Sequence, residues 1–357
     1  MKCEIMNKGL VKEKGSILIL AMWVLLFLSV LSVAAGSVTR QAALALKKIE
    51  EKQKLYDGAY SGAMLAIDMV ASYYKTEGKT GKFLLNFRWI NDEVSFKEKK
   101  LGDCKINIQY DGINDISGEK KTFYGIRDEE SKINLNFAPK SLLMGLFVEV
   151  AGMPAPDAEV LAINVIDWRD SDNTYGEGSS GGGMDEKIYY EKAGLKYYPR
   201  NAQFRTVEEL LLVAGMNKKI FNSVKDYVTV HSSGKININT ASKKVLLALG
   251  LSDAVASKIV VYRYGPDLML GTGDDNVYTG KDNIITTISS FSGLEENDKE
   301  KLTELIFRNI LDVESTFFRV ESVAKVDFSG FQTKIICVFD KRGKVGYWGC
   351  CNIPGQK

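Results

Sequence analysis

The 357-residue sequence predicts an α/β chain in which a long N-terminal α-helix and an antiparallel sheet are joined by a large inserted α-helical domain. Three observations predict it. An uncharged apolar run at residues 17–38 passes into a helical stripe, β-rich segments stand early and late in the remaining chain, and a Lys-Ile-Asn-x-Asn motif occurs twice between them. The length allows about two or three domains. With 47 Lys+Arg, 45 Asp+Glu and 45% hydrophobic residues, wholesale disorder is excluded. A net charge of +2 gives no case for a nucleic-acid partner at the level of the whole chain. Five Cys with no Cys-x-x-Cys pair are too few for a disulfide scaffold. A single His leaves little room for a His-based metal centre, or for a triad not built on His231, so the chain is not expected to be an enzyme.

The run from Ile17 to Val38 matches the ~20 residues a helix needs to cross hydrocarbon. A helix is expected because only it satisfies its own backbone there. The run is longer than the ~7–15-residue apolar core of a cleavable signal peptide, although Val33-Ala34-Ala35 offers a competing signal-peptidase site. Lysines and glutamates flank the run almost evenly on both sides, so charge does not set its orientation. Beyond Arg40, Ile49, Tyr56, Tyr60, Ala63, Ile67, Val70 and Tyr74 fall at helical steps, predicting a helix from about Ser16 to Tyr74. Gly58 and Gly62 each cost it ~1 kcal/mol relative to Ala, so packing must hold this half.

Residues 83–91, 104–110 and 123–127 read as strands, the second alternating with Ile106 and Ile108 on one face. Residues 317–327, 332–340 and 344–350 read as a closing antiparallel meander. Between these groups, the segment from Lys132 to Leu143 recurs as the segment from Lys235 to Leu246, each running into helical spacing at 160–166 and 255–261. Thr206 with Glu209 predicts a capping box. Two related small helical bundles follow from this repeat. The second resembles a helix-hairpin-helix, with a helix from Thr240 to Leu249, a turn at Gly250-Leu-Ser252 and a helix to Arg263. DNA-binding versions turn on Gly-x-Gly, whereas here Ser252 replaces the second Gly and Asp253 would face the polyanion. Lys243, Lys244, Lys258 and Arg263 are more simply a solvated face, which favours protein packing.

Two loops concentrate oxygen ligands. The first holds Asp167, Asp170, Asp172 and Asn173, then a Gly/Ser bridge at 176–183, then Asp185 and Glu186. The second holds Asp267, Asp274, Asp275, Asn276, Asp282 and Asn283 among Gly271, Gly273 and Gly280. Carboxylates and amides without His or Cys favour a hard cation, and Gly-rich geometry suits Ca²⁺ over Mg²⁺. Neither loop has the EF-hand spacing, and on spacing alone solvated turns explain them equally well. The Gly run at 181–183 lacks the Gly-Lys-Ser/Thr of a phosphate loop. His231 beside Ser232 and Ser233 reads as a surface turn, with a Ser–His hydrolase as the competing possibility. Among Cys104, Cys337, Cys350 and Cys351, a disulfide from Cys104 to one of the others is allowed in an oxidising compartment, and the pairing stays open.

The junction Lys12-Glu13-Lys14-Gly15 against Ser16-Ile17-Leu18-Ile19-Leu20 resembles the leader of type IV pilins and type II secretion pseudopilins. In those proteins a prepilin peptidase cuts after the Gly, and the new N-terminus is methylated. The resemblance makes Gly15 the last leader residue and Ser16 the mature start, leaving 43 charges of each sign. Most such proteins carry Glu at the fifth mature position, where this chain has Leu20. That departure is shared by the minor pseudopilin K (general secretion pathway protein K) family of type II secretion. Residues 128–136, 165–172, 182–186, 198–201, 206–211 and 236–241 also resemble that family's signatures, in its order.

The resemblance implies a pilin-like fold interrupted by an inserted α-helical domain of SAM/helix-hairpin-helix-like character. It implies a leader at 1–15, a transmembrane and filament-core helix at 16–40, a stem helix and first strands at 41–131, the insert at 132–312, and closing strands at 313–357. It further implies a role at the tip of the pseudopilus in protein export, with minor pseudopilins I and J, other pseudopilus subunits, the prepilin peptidase and the bacterial inner membrane as partners. The bulk of the chain would stand in the periplasm, and no nucleic acid is expected. Calcium in the insert is also implied, on Asp167, Asp170, Asp172, Asp185 and Glu186, with Asp274, Asp275 and Asp282 as a second set. A membrane-tethered DNA receptor of competence type is the alternative.

Overall fold

The computed structural model describes residues 14–77, 91–176, 184–326 and 330–354. The chain divides into two units, Met1–Lys54 and Leu55–Lys357. The expected leader up to residue 13, the expected strand over 83–90 and most of the Gly/Ser bridge lie outside the described residues.

Helix α1 runs Lys14–Glu77, without a break at either glycine of its second half. In the first unit the apolar residues from Ile17 to Val38 are exposed along the whole run. In the second unit the same helix buries Leu55, Ala59, Ala63, Ala66, Ile67 and Val70. The stripe is thus turned from the expected one. Tyr56 and Tyr60 lie at its margin, 36% and 43% exposed, while small residues take the centre. Gly58 and Gly62 give the reason. A Cβ at Gly62 would stand 2.5 Å from Ile106 Cγ2, and one at Gly58 would stand 3.2 Å from both Ala324 Cβ and Cys104 Cβ. Helix propensity is given up so that helix and sheet can approach closely.

The sheet under the helix is antiparallel throughout. After the short helix α2 (Glu93–Phe96) come β1 (Lys99–Leu101), β2 (Cys104–Ile113), β3 (Lys120–Tyr124) and β4 (Arg127–Asp128). The closing meander supplies β9 (Phe317–Val326), β10 (Phe331–Asp340) and β11 (Val345–Pro354). The spatial order is β1-β2-β9-β10-β11, with β3 on β2 and β4 on β9. Phe96, Ile108, Phe318, Val320, Ile335 and Phe339 pack beneath α1 as one core. Among the described residues no cysteine pairs with another in a disulfide: Cys104 and Cys337 are buried, and Cys350 and Cys351 are exposed on the edge strand β11.

A second core belongs to the insert. Its first lobe opens with β5 (Ile133–Asn134) and contains α3 (Lys140–Glu149), α4 (Ala155–Arg169), α5 (Glu186–Lys192) and α6 (Lys218–Val224). It closes with β6 (Val228–Thr229), which pairs in parallel with β5. The second lobe opens with β7 (Ile236–Asn237) and contains α7 (Lys243–Ala248), α8 (Asp253–Tyr264), α9 (Ile284–Ser292) and α10 (Glu296–Phe307). It closes with β8 (Leu311–Asp312), parallel to β7. The lobes meet where α3 passes α7, so closely that a Cβ on Gly145 would lie 3.1 Å from Ala248 Cα.

The expected capping box at Thr206 does not form. Residues 207–212 make a 3-10 helix, and the Thr206 side chain makes no capping bond. Glu209 is drawn away instead, accepting from Arg200 Nη1 at 2.8 and 3.0 Å and from Arg205 N at 3.0 Å.

The chain leaves the sheet through Asp128-Glu129-Glu130, three consecutive carboxylates that are all buried. Each ties a different crossing. Asp128 accepts from Ser315, Thr240 and Asn237. Glu129 takes Lys132 at 2.9 Å, Arg319 of β9 at 2.8 Å and the Thr229 hydroxyl. Glu130 accepts from Ser233 N at 3.2 Å and Phe317 N at 3.0 Å. The outgoing strand, both lobes and the returning strand are thereby fastened at one point.

Candidate functional site

Each lobe is built on the same skeleton. In the first, Asn134 Oδ1 accepts from Asn136 N at 2.8 Å, and the Asn136 side chain brackets Phe204, accepting from its N–H and donating to its carbonyl. In the second, Asn237 Oδ1 accepts from Asn239 N at 2.8 Å, and Asn239 brackets Tyr278 in the same way. Arg169, at the end of α4, donates to the carbonyls of Leu135 and Ala138. Arg263, near the end of α8, donates to those of Ile238 and Ala241 at 3.0 and 2.7 Å. In both lobes the acidic loop begins where this Arg ends its helix.

In the first loop the carboxylate oxygens of Asp170, Asp172 and Glu186 lie within 4.8 Å of one another. Asp170 is the C-cap of α4, and Asp172 Oδ1 accepts from Thr174 N at 2.7 Å, which turns the chain back toward α5. A bridge between Thr174 and Asp185 brings Glu186 in at the start of that helix. Glu186 is 2% exposed, and its Oε1 has no hydrogen-bond partner. Burial, then the charges of Asp167, Asp170 and Asp172, push its carboxyl up to about 7. Asn201 donates to the Asp172 carbonyl and to Asn173 Oδ1, while its own buried Oδ1 has no partner. Behind this group stands an aromatic wall in which Trp168 packs on Phe204, Tyr190 and Tyr197.

The remaining expected ligands of this loop do other work. Asp167 is buried and accepts from Gly176 N at 3.2 and 3.3 Å, fixing the start of the bridge. Asp185 faces solvent and caps α5 through Lys187 N at 2.8 Å.

The second loop supplies partners for most of its own carboxylate oxygens. Asp274 accepts from Thr272 Oγ1 at 2.7 Å and Asp267 N at 3.1 Å, and these bonds hold its carboxyl below the usual range. Asp275 Oδ2 accepts from Gly271 N at 2.8 Å, though burial raises its carboxyl and its Oδ1 has no partner. Asp282 lies exposed on the 3-10 turn Lys281–Asn283. Among the described residues, Asp274, Asp275 and Asp282 form no cluster like that of the first loop.

The hairpin of the second lobe is not a phosphate cradle. Ser252 caps α8 through Val255 N. Of the four cations, Arg263 is buried, Lys243 is held by Asp253 at 2.8 Å, and Lys258 donates to the Gly293 carbonyl at 2.8 Å. His231 is half-buried with its ring 5.7 Å from that of Tyr347, and burial lowers its pKa. Ser232 Oγ instead accepts from Asn134 Nδ2 at 3.0 Å.

Comparison with known proteins bears on the first lobe of this insert. Residues 131–233 match the family described as type II secretion system (T2SS), protein K. The first lobe of the insert is thus similar to the type II secretion protein K family. The match begins one residue after the acidic clasp, ends at Glu130's partner Ser233, and so takes in the whole first lobe of the insert. No curated protein matches the chain. In the crystal structure of the GspK-GspI-GspJ complex from the type 2 secretion system of enterotoxigenic Escherichia coli, one chain shares the fold. It aligns at a TM-score of 0.58 and 17% identity, covering 87% of this chain and 99% of that one.

Two features of this arrangement escaped the sequence reading. Asn201 stands at the acidic cluster from a separate segment, and its only sequence signal was its place in the Tyr198-Pro-Arg-Asn201 signature. The clasp of Asp128, Glu129 and Glu130 carried no periodicity, and its role depends on contacts 100 to 190 residues away in sequence, from Thr229 to Arg319.

Proposed function

We propose that this chain is a minor pseudopilin at the tip of a type II secretion pseudopilus, acting in protein export across the outer membrane. The observation that carries the reading is one chain holding a protein K lobe, a pilin-like helix and sheet, and a helix whose first half leaves every apolar side chain from Ile17 to Val33 uncovered. Such a surface needs lipid or neighbouring helices around it. Residues 16–40 anchor the subunit in the inner membrane before assembly and lie in the filament core afterwards, with the remainder in the periplasm. The prepilin peptidase cuts between Gly15 and Ser16. An incoming pilin subunit pairs an acidic side chain at its fifth position with the amine of its neighbour. This chain has Leu20 there, need not add beneath an existing subunit, and suits the apex. Minor pseudopilins I and J are its partners there.

Calcium fits the first loop. The cluster offers only oxygen donors, two of which are buried without partners (Glu186 Oε1 and Asn201 Oδ1), and its carboxylates repel one another. Asp170, Asp172 and Glu186 would hold the ion, with Asn201 beside them and Asp167 and Asp185 fixing the loop. Bound there, the cation supplies the charge neutralisation that these side chains lack.

Mass spectrometry of the protein recovered from secreting cells tests the assignment. Ser16 as the first residue supports it, whereas Gly36 would make the chain a secreted protein and Met1 a plain anchor. Co-purification with minor pseudopilins I and J is expected, as is loss of secretion on deletion.

A further inference from the structure

We propose that the cavity between the β2–β3 hairpin and the second lobe binds an acidic saccharide, a short chain of sugars that carries carboxylates among its hydroxyl groups. The proposal is independent of the pseudopilus reading, since every group it uses lies in the second unit.

The cavity has a volume of about 840 Å³, in the upper part of the range typical of ligand sites, roughly 300–1,000 Å³. That is far more room than a lone carboxylate or phosphate fills. One wall is the β2–β3 hairpin, and the opposite wall is formed by 225–227 and the start of α7. The hairpin tip is fastened to the second lobe through one residue. Asp115 accepts from Lys243 N at 3.0 Å, its carboxylate sits 3.6 Å from the buried Arg263 guanidinium, and its N–H donates to the Tyr264 hydroxyl at 3.3 Å. Arg127 of β4 ties the other side to the sheet by donating to the Asp226 carbonyl at 2.8 Å. The walls are thus fixed to each other, and the space between them is preformed.

The lining disfavours an apolar occupant. Among the described residues that line the cavity, Ile113, Leu247 and Leu270 are the only aliphatic hydrophobic ones. A lipid tail or the apolar side chains of a peptide would find little to bury against. What reaches the space is charge of both signs. Lys120, Lys121, Lys225 and Lys244 line it from exposed positions on the two walls, and so do Asp111 and Asp226. Among the described residues, none of these six forms an ion pair. The other acids at the cavity are already held, Asp253 by Lys243, Asp115 by Arg263, and Asp128 by Ser315 and Thr240.

A saccharide with carboxylates uses both signs. The Lys244 ammonium lies 5.5 Å from the centre of the Tyr227 ring, and that of Lys121 lies 5.7 Å from the centre of the Phe123 ring. One cation on each wall is therefore steadied along an aromatic face and partly stripped of water, ready for a carboxylate. The acids suit hydroxyls. Asp111 Oδ1 accepts from Thr122 at 2.8 Å, which orients the carboxylate and leaves its second oxygen as an acceptor. Sugar hydroxyls donate to such an oxygen, whereas a simple anion is repelled by it. An inorganic anion would gain from the lysines and be opposed by Asp111 and Asp226. A chain with hydroxyls between its carboxylates gains from all six.

The test uses the full chain in a detergent without a sugar headgroup, with trigalacturonate as the probe and isothermal titration calorimetry as the readout. Trigalacturonate is expected to bind, and to bind more weakly as salt is added. Its methyl ester, which has the same hydroxyls and no charge, should bind about tenfold less tightly. Lys225→Glu/Lys244→Glu should weaken the uronate about tenfold, with Lys120→Glu/Lys121→Glu reading the opposite wall should the first variant melt early. Asp111→Ala separates a saccharide site from a general anion site. Loss of an acceptor for a sugar hydroxyl should weaken the uronate about fivefold, whereas at a site for anions alone the loss of a negative charge tightens binding. Unchanged or tighter binding to folded Asp111→Ala would overturn the proposal, as would no binding of the uronate or equal affinity for its ester. So would affinity within about twofold of the parent in both folded lysine variants, or equal capture of a peptide of alternating Glu and Ser.

Discussion

The two lobes of the insert share a frame and part company in their acidic loops. Both place an Asn-x-Asn turn under a parallel pair of two-residue strands, and both let an Arg from the second long helix close that turn through two carbonyls. In the second lobe the loop after the Arg answers Asp274 and one oxygen of Asp275 with its own N–H and hydroxyl groups, leaving Asp275 Oδ1 without a partner, and among the described residues its carboxylates do not converge. In the first lobe three carboxylates converge, and a buried oxygen of Glu186 is left unanswered. A count of Asp and Glu treats the loops alike. What distinguishes a cation site from a well-made turn is whether the local backbone has already supplied the donors.

The largest contrast is expected in the frame itself. Arg263 is 4% exposed, and Arg263→Ala removes the donor to the Ile238 and Ala241 carbonyls while leaving Asp115 without its cation. A loss of about 3 kcal/mol is expected from breaking a buried, paired charge. Arg169 is only half-buried, so Arg169→Ala should cost about half as much, on the scale of charged hydrogen bonds to backbone. Urea unfolding of both variants checks the order. Equal losses would mean that burial does not separate the two lobes.

Calcium should sharpen the difference between the loops. At a calcium concentration of about 100 times Kd the stabilisation is about 2.7 kcal/mol, which raises Tm by roughly 5–10 °C in a domain of this size. Asp170→Ala/Asp172→Ala should abolish that rise in purified, chelator-treated protein. Asp274→Ala/Asp275→Ala should reduce it by less, because Asp274 and one oxygen of Asp275 already have partners and these carboxylates form no cluster among the described residues. Loss of the shift only in the second pair would reverse the assignment.

The architecture was legible where a local pattern had one structural solution. The uncharged run gave α1, alternation at Ile106 and Ile108 gave β2, and the duplicated Lys-Ile-Asn-x-Asn gave the paired lobes. Legibility failed where a residue had competing partners. Thr206 and Glu209 have capping-box spacing, but Arg200 outbids the helix terminus for the carboxylate with a bidentate, charge-assisted contact. Gly58 and Gly62 read as helix weaknesses until the sheet beneath them is known. At the acidic cluster the residue types were legible and the division of labour was not. Nothing in the spacing separates Asp185, a cap, from Glu186, a buried acid one residue on.

The smallest expected effect lies where the lobes join the sheet. Glu129, which anchors the first lobe at Thr229, is buried, yet Lys132, Arg319 and that hydroxyl outweigh the burial and hold its carboxyl well below the usual range. Glu130, between the lobes at Ser233, has no cation of its own, and burial followed by the charge of Asp128 pushes it up to about 8. A carboxyl raised in the folded state contributes stability that is complete below its unfolded value of 4.5 and is lost as pH rises through about 8. Lys132, pushed down to about 7 by burial, acts in the opposite sense above that pH, because its contribution is lost as pH falls through about 7. The window from pH 5 to pH 7 therefore excludes Lys132, and there Glu130 titrates beside Glu186, raised to about 7 and acting in the same sense, and His231, lowered by burial and acting in the opposite one. Stability should fall across it by about 1 kcal/mol, within the limit of 1.36 kcal/mol per pH unit for one proton. Glu130→Gln, which keeps an acceptor for the backbone but cannot ionise, should flatten most of that slope. An unchanged slope would move the titration away from Glu130, either to Asp128, which holds Asn237 and Thr240 of the second lobe, or to Glu186 in the acidic loop, and Glu186→Gln would tell the two apart.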